Sequence, residues 1–236
     1  MRLDRYVSQA TGLSRSQART RIRGGSVELD GRIIRRPSYL VGAEVAVSVD
    51  GVAARLPEAN YYMLNKPAGY VCDRDDPRHP SVFDLVESAQ RRLLHVAGRL
   101  DADVTGLVLL TDNGAWSHAL TAPARKQPKT YLARLAKPLT SAAARALRTG
   151  VTLRGERRPT RPAGVDVLPD GRVRLAIAEG RYHQVKRMFA AVGNRVEALH
   201  RERIGPFVLD PELGPGQYRA LTDAEVAQVR TQGRKL

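Results

Sequence analysis

Cysteine is almost absent: Cys72 is the only one in 236 residues. One thiol cannot build a disulfide framework or a multi-cysteine zinc site. Cys72 sits in GYVCDRDD without an evident partner and reads as a packed or idle thiol. The five histidines, at 79, 95, 118, 183 and 200, show no metal-ligand spacing, so no metal is expected. No apolar run reaches about 18 residues, which excludes a membrane-spanning helix. The segment MRLDRYVSQA lacks the apolar stretch of a secretory signal, and the expected location is the cytoplasm. G-x-x-x-x-G-K-[ST], G-x-G-x-x-G after a strand, H-E-x-x-H and G-x-S-x-G are all missing. No cofactor is therefore expected. Acids are in deficit, 24 Asp+Glu against 39 Lys+Arg, giving a formal net charge of +15. Such an excess points to a polyanionic partner. The length and the 42% hydrophobic content suffice for a real core, in one large or two unequal domains.

The charge is unevenly spread. Residues 1–36 carry nine Arg, no Lys and three acids, residues 37–60 are slightly acidic, and the rest is basic again. That order suggests a small basic module over 1–45, a linker over 46–60 and a larger domain over 61–236. In the module, Ser14 and Gln17 form a capping box that opens a helix. Ala18 and Ile22 share one face of it, and Arg15, Arg19 and Arg23 recur every four residues along another. Gly24-Gly25 ends it. VELDGRII, centred on Asp30-Gly31, reads as a hairpin. Arginine without lysine favours RNA contact over a merely solvated face, because the guanidinium fork suits phosphates and stacks on bases.

Beyond Tyr61, YYMLNK, GLVLLT, TYLARL, VRLAIA and VEALH read as strands. TSAAARALRTG, HQVKRMFAAVG and LTDAEVAQV read as helices. Short strands and frequent turn signals, Asp112-Asn113-Gly114 among them, argue for an α+β fold with a mixed, mainly antiparallel sheet. Three segments could carry chemistry. GRLDADVTGLVLLTDNG places Arg99 and Asp101 before an apolar strand. KTYLARL carries Tyr131, and EGRYHQVKRMFAAVG crowds Arg181, Lys186 and Arg187 at a helix start. Singly, each has a bland reading: an ion pair, a core tyrosine, a general phosphate site. Together they offer a carboxylate, an aromatic platform and a cation. That set suits work on a nucleobase taken out of its stack.

MRLDRYVSQATGLSRSQARTRIRGGSVELDG resembles an S4 RNA-binding module. YYMLNKPAGYVC, GRLDADVTGLVLLTDNG, KTYLARL and EGRYHQVKRMFAAVGNRVEALHRERIG resemble the successive motifs of RsuA-type pseudouridine synthases. The resemblance implies conversion of one uridine in 16S rRNA to pseudouridine without a cofactor. The substrate is then small-subunit rRNA or an assembly intermediate of the ribosome, and the enzyme a monomer. It implies Asp101 as the catalytic carboxylate, Tyr131 as the stacking tyrosine and Lys186 as the basic partner of the aspartate. Arg99 matches the arginine before the aspartate, and Asp103 should matter less than Asp101. Arg99, Arg15, Arg19, Arg23, Arg181 and Arg187 are the expected RNA contacts. Val104 stands where the pattern L-D-x-D-T has a hydroxyl residue. Two alternatives remain at this point: a sister enzyme acting on 23S rRNA, and a silent rRNA-binding assembly factor.

Overall fold

The computed structural model describes residues 1–42, 45–56, 58–87, 91–122 and 127–232. The chain divides into two compact units, Met1–Glu58 and Ala59–Leu236.

The first unit opens with helices α1 (Leu3–Thr11) and α2 (Arg15–Gly24). The Ser14–Gln17 capping box is formed at the start of α2. Ala18 and Ile22 are the residues that α2 buries, against Leu3 and Val7 of α1 among others. Strands β1 (Val27–Leu29), β2 (Arg32–Ile33), β3 (Val47–Val49) and β4 (Val52–Ala53) form an antiparallel sheet in the order β2-β1-β3-β4. Residues 46–60, read from sequence as a linker, therefore supply two strands. Val47, Val49 and Ala54 are buried in the same core as Leu3 and Ile22. The signal was present: Asp50-Gly51 between VSV and VAA repeats Asp30-Gly31. All four residues have positive φ, as the hairpin turn that matches strand twist requires.

In the second unit the strands are β5 (Tyr61–Lys66), β6 (His95–Ala97), β7 (Thr105–Thr111), β8 (Lys129–Leu135), β9 (Gly164–Val167), β10 (Val173–Ile177), β11 (Val196–Ile204), β12 (Phe207–Val208) and β13 (Tyr218–Ala220). The helices are α3 (Gly114–Thr121), α4 (Ser141–Thr149), α5 (Gln184–Ala191) and α6 (Asp223–Gln232). One mixed sheet runs β13-β5-β7-β11-β8-β10-β9, with β6 on β7 and β12 on β11. The β7–β11 pair is parallel, and the other pairs among the described residues are antiparallel. Sequence reading took Asp112-Asn113-Gly114 as a turn. Here Asn113 caps α3, its side chain accepting from the amides of Ala115 and Trp116.

β7 has core on both faces. Leu107 and Leu109 join Met63, Trp116 and Phe207, while Val108 and Leu110 join Leu64, Leu175 and Phe189. A strand buried on both sides cannot slip register without exposing one set. The loop entering it, residues 98–104, is held to the same standard. Among the described residues no helix is long and apolar enough to cross a membrane.

These boundaries predict that a chain of residues 59–236 folds and melts cooperatively. A chain of residues 46–236 keeps β3 and β4 without β1, exposes Val47 and Val49, and aggregates. Size-exclusion chromatography and thermal melting of the two truncations check this. Equal behaviour contradicts the assignment of β3 and β4 to the first unit.

Candidate active site

Two buried cations build the site from beneath. Lys66, at the end of β5, is fully buried. Its ammonium donates to the carbonyls of Pro67 (2.9 Å), Ala102 (3.0 Å) and Val104 (2.7 Å). Burial pushes its pKa below the ordinary lysine value, against the pull of nearby Cys72, Asp103 and Asp101. Arg201, on β11, is equally enclosed. Its guanidinium donates to the carbonyls of Leu107 (2.9 Å), Arg99 (3.2 Å) and Gly98 (2.6 Å). Gly106 makes the β7–β11 approach possible: its φ is +102°, and a Cβ there would collide with the Arg201 backbone. All three donors of Lys66 and one N–H from each of the three Arg201 nitrogens go to main-chain oxygens. The loop 98–104 is thus fixed as a rigid object.

Asp101 opens the turn in that loop, its carbonyl accepting from Val104 N–H, with about a third of its side chain exposed. Lys186, on α5, places its ammonium 3.5 Å from Asp101 Oδ2. It lies closer to Asp103, at 2.6 and 2.8 Å from the two oxygens. Lys186 is therefore shared, and its shorter bonds go to the carboxylate that sequence reading ranked second. Burial raises the Asp103 pKa, but the Lys186 hydrogen bond and charge outweigh it and leave the group below its ordinary value. His183 adds a second nitrogen, Nε2, 3.5 Å from Asp101 Oδ1. Its backbone is left-handed, with φ 46° and ψ 36°, a conformation that costs a residue with a side chain about 1–2 kcal/mol. Among the described residues the only other non-glycines with positive φ are the hairpin aspartates. A strained residue beside a partly exposed carboxylate makes this corner a candidate functional position.

Tyr131, on β8, is buried and lies opposite Arg201 of β11 and Leu175 of β10. Asp101, Tyr131, Lys186, Arg99 and Arg181 line one cleft of about 920 Å³. Lys129 lines it too, its pKa lowered by burial. Arg99 is largely exposed and pairs loosely with Asp73 at 3.6 Å. At position 104 the main chain supplies the bonds: Val104 N–H donates to the Asp101 carbonyl at 3.1 Å and its own carbonyl accepts from Lys66. The missing hydroxyl is replaced by a methyl in the core.

Two expected RNA contacts are otherwise engaged. Arg181 donates to Glu156 (2.5 Å) and to the carbonyls of Arg158 and Pro159. Arg187 bonds Glu156 at 2.7 Å and the carbonyls of Tyr182 and Arg154. Glu156 satisfies both forks, so these arginines clamp the 154–159 loop to the start of α5. In the first unit, Arg15 and Arg19 converge with Arg2 on one carboxylate, Asp4, which has no exposed side chain; each pair is 3.1 Å. The arginines stay about half exposed. Their remaining N–H groups can meet phosphates. Arg23 is exposed on the same helix.

Sequence reading missed Lys66, Arg201, His183 and Asp4. A lysine closing an apolar strand, and an arginine inside VEALHRERI, carried the only available hints. Apart from the bond of Lys66 to Pro67, the contacts of Lys66 and Arg201 span 36 to 103 residues.

Residues 60–191 match the family described as RNA pseudouridylate synthase, and residues 1–53 match the S4 domain. The chain is 50% identical over 230 residues to "Ribosomal small subunit pseudouridine synthase A" of Escherichia coli (strain K12), covering 97% of this chain and 100% of that one. Its counterpart in Haemophilus influenzae is 46% identical, covering 97% and 99%. A solved crystal structure of a pseudouridylate synthase superposes with a TM-score of 0.71 at 45% identity, covering 97% and 99%.

Lys66→Met leaves one buried and two partly buried carbonyls without their donor, and a buried one costs about 1–3 kcal/mol. Urea denaturation should show a loss of about 1–3 kcal/mol, and the amides of residues 102–104 should exchange faster. Native exchange in that loop contradicts the role given to Lys66. Asp4 makes a separate prediction. The Arg2 hydrogen bonds hold its carboxyl far below the ordinary range; burial opposes them, and Arg19 and Arg15 add to them. A depressed carboxylate stabilises fully above its unfolded value near 4, and that share is lost as pH falls below it. Asp4→Asn should lower the first unit's melting temperature at pH 7 by about 5–15 °C, as roughly 1–2 kcal/mol does in so small a unit. The gap between variant and wild type should narrow below pH 4. A pH-independent gap rules out the charge.

Proposed function

The chain belongs to the RNA pseudouridylate synthase family, and on that premise we propose that it converts a uridine of small-subunit (16S) rRNA to pseudouridine. It is an isomerase of RNA. The C1′–N1 bond of the nucleoside breaks, a C1′–C5 bond forms, the proton at C5 leaves and N1 gains one. Nothing is added or lost, so the protein need supply only position and charge. The observation that carries the reading is Asp101, presented by a loop anchored from beneath, in one cleft with Tyr131 and Lys186. That arrangement belongs to a chain half identical, along its whole length, to small-subunit enzymes.

In this reading the target nucleotide leaves its stack and enters the cleft, paying the unstacking energy from contacts around it. Asp101 faces the sugar. Its carboxylate either attacks C1′ or removes a ribose proton, and both routes need it ionised. Lys186 lies between Asp101 and Asp103 and offsets the repulsion of two carboxylates two residues apart. Asp103 holds that ammonium in place. Tyr131 lies under the detached uracil while it turns to present C5. The first unit, an S4 domain with three arginines gathered on Asp4, binds the rRNA backbone. The enzyme acts as a monomer in the cytoplasm, where the ribosome is assembled.

Asp101→Asn keeps the shape and should cut single-turnover isomerisation of transcribed small-subunit rRNA by at least about 100-fold, the lower end for a catalytic carboxylate. RNA affinity should change little. Lys186→Met should cost a similar factor, Lys186→Arg less, and Asp103→Asn about tenfold, because the amide oxygen still accepts from Lys186 but no longer carries the charge that holds it. Tritium release from C5-labelled uridine reads all four. Asp101→Asn turnover within tenfold of wild type moves the active site elsewhere. Mapping pseudouridine in both ribosomal subunits of a deletion strain separates the small-subunit reading from a large-subunit one.

A further inference from the structure

Tyr182 is the most exposed of the large apolar side chains described, at 76%. A single exposed aromatic needs no explanation by itself. This one is stacked. Its ring lies flat on that of His183, with centroids 3.8 Å apart and planes 19° apart. His183 holds its left-handed backbone at the N-terminus of α5. The Tyr182 carbonyl accepts from Arg187 at 3.1 Å, and Arg187 is itself locked to Glu156. Both rings belong to the cleft lining, and His183 approaches Asp101. The chain thus keeps a two-ring stack, strained at its base, with its outer face open to water beside the catalytic carboxylate.

We propose that the outer face of Tyr182 carries the nucleobase adjacent in the strand to the target uridine. This rests on the reading above and deepens it. Flipping a nucleotide out of a helix leaves its neighbour without a stacking partner, at a cost of a few kcal/mol. The target and its neighbour need platforms at different depths. Tyr131 is buried in the cleft and suits the base that enters; Tyr182 lines the same cleft but is largely exposed and suits the base that stays. A flat ring also accepts any base, because every base has a π-face. Holding the ring still beforehand removes the ordering cost from the binding step. Such a platform acts on the encounter with RNA and leaves the bond-breaking step alone.

The test uses the full-length enzyme and small-subunit rRNA assembled by ligation, with an abasic nucleotide on one side or the other of the mapped uridine. Base–aromatic stacking corresponds to roughly 5- to 150-fold in affinity. Tyr182→Ala and Tyr182→Leu should raise KM by a factor in that range with kcat nearly unchanged, and Tyr182→Phe should restore it. On intact RNA the variants lose affinity. At one of the two abasic positions wild type should lose the same factor, with no further loss in Tyr182→Ala. Wild-type KM in Tyr182→Ala overturns the proposal. So does a fall in kcat alone, which would assign Tyr182 to positioning His183, and so does additivity of the two losses at both positions. If wild-type enzyme forms no pseudouridine in intact rRNA, the reading of function fails; if it does, only the platform is at stake.

Discussion

Two buried cations bonded to main-chain carbonyls are the constraint on which the site depends. Lys66 and Arg201 spend six hydrogen bonds on the oxygens of residues 67, 98, 99, 102, 104 and 107. A loop exposed enough to meet RNA would ordinarily be mobile. Here its underside is anchored by charge-assisted bonds, which are the stronger kind. The Asp101 side chain lines the cleft, and the Asp103 side chain holds Lys186 beside it. Fixing an acidic group before substrate arrives removes reorganisation from the reaction step.

Charge is sorted by depth. The inner cations hold backbone and carry the desolvation cost. The middle layer of Lys186, His183, Asp101 and Asp103 is partly exposed and balances itself at short range. The outer arginines supply the net excess. Glu156 draws Arg181 and Arg187 out of that outer set, whereas Arg2, Arg15 and Arg19 gather on Asp4 in the first unit and stay about half exposed. A count of positive residues therefore overstates the number available to phosphate. Two of the arginines nearest the active site are structural.

Local signals were legible. The Ser14–Gln17 capping box, the Asp30-Gly31 hairpin and the strand YYMLNK are set by neighbouring residues, and each formed where its residues indicated. Asp50-Gly51 was equally legible and was obscured by reading composition over 46–60 before reading turn chemistry. The cleft was legible in part. Asp101, Tyr131 and Lys186 do line one cavity. That Lys186 prefers Asp103 depends on the helical rise of α5 against a loop more than 80 residues earlier, and no local pattern encodes it. Lys66 and Arg201 were illegible for the opposite reason. Charged residues read as surface, and burial becomes visible only once the six carbonyls that receive them are assembled.

The parallel pairing of β7 with β11 also sets a timetable. β11 lies between β7 and β8 in the sheet, yet it follows them in the chain, and it brings Arg201. During synthesis from the first residue onward, Asp101 emerges about a hundred residues before the guanidinium that fixes its loop. Until β11 inserts, β7 lacks a neighbour, Gly98 and Arg99 lack their donor, and the carboxylate has no defined position. The arginine-rich first unit, complete by residue 58, can meanwhile fold as an independent domain. A nascent chain on the ribosome thus acquires its grip on RNA well before it acquires its chemistry, and the last central strand to arrive is the one that arms it.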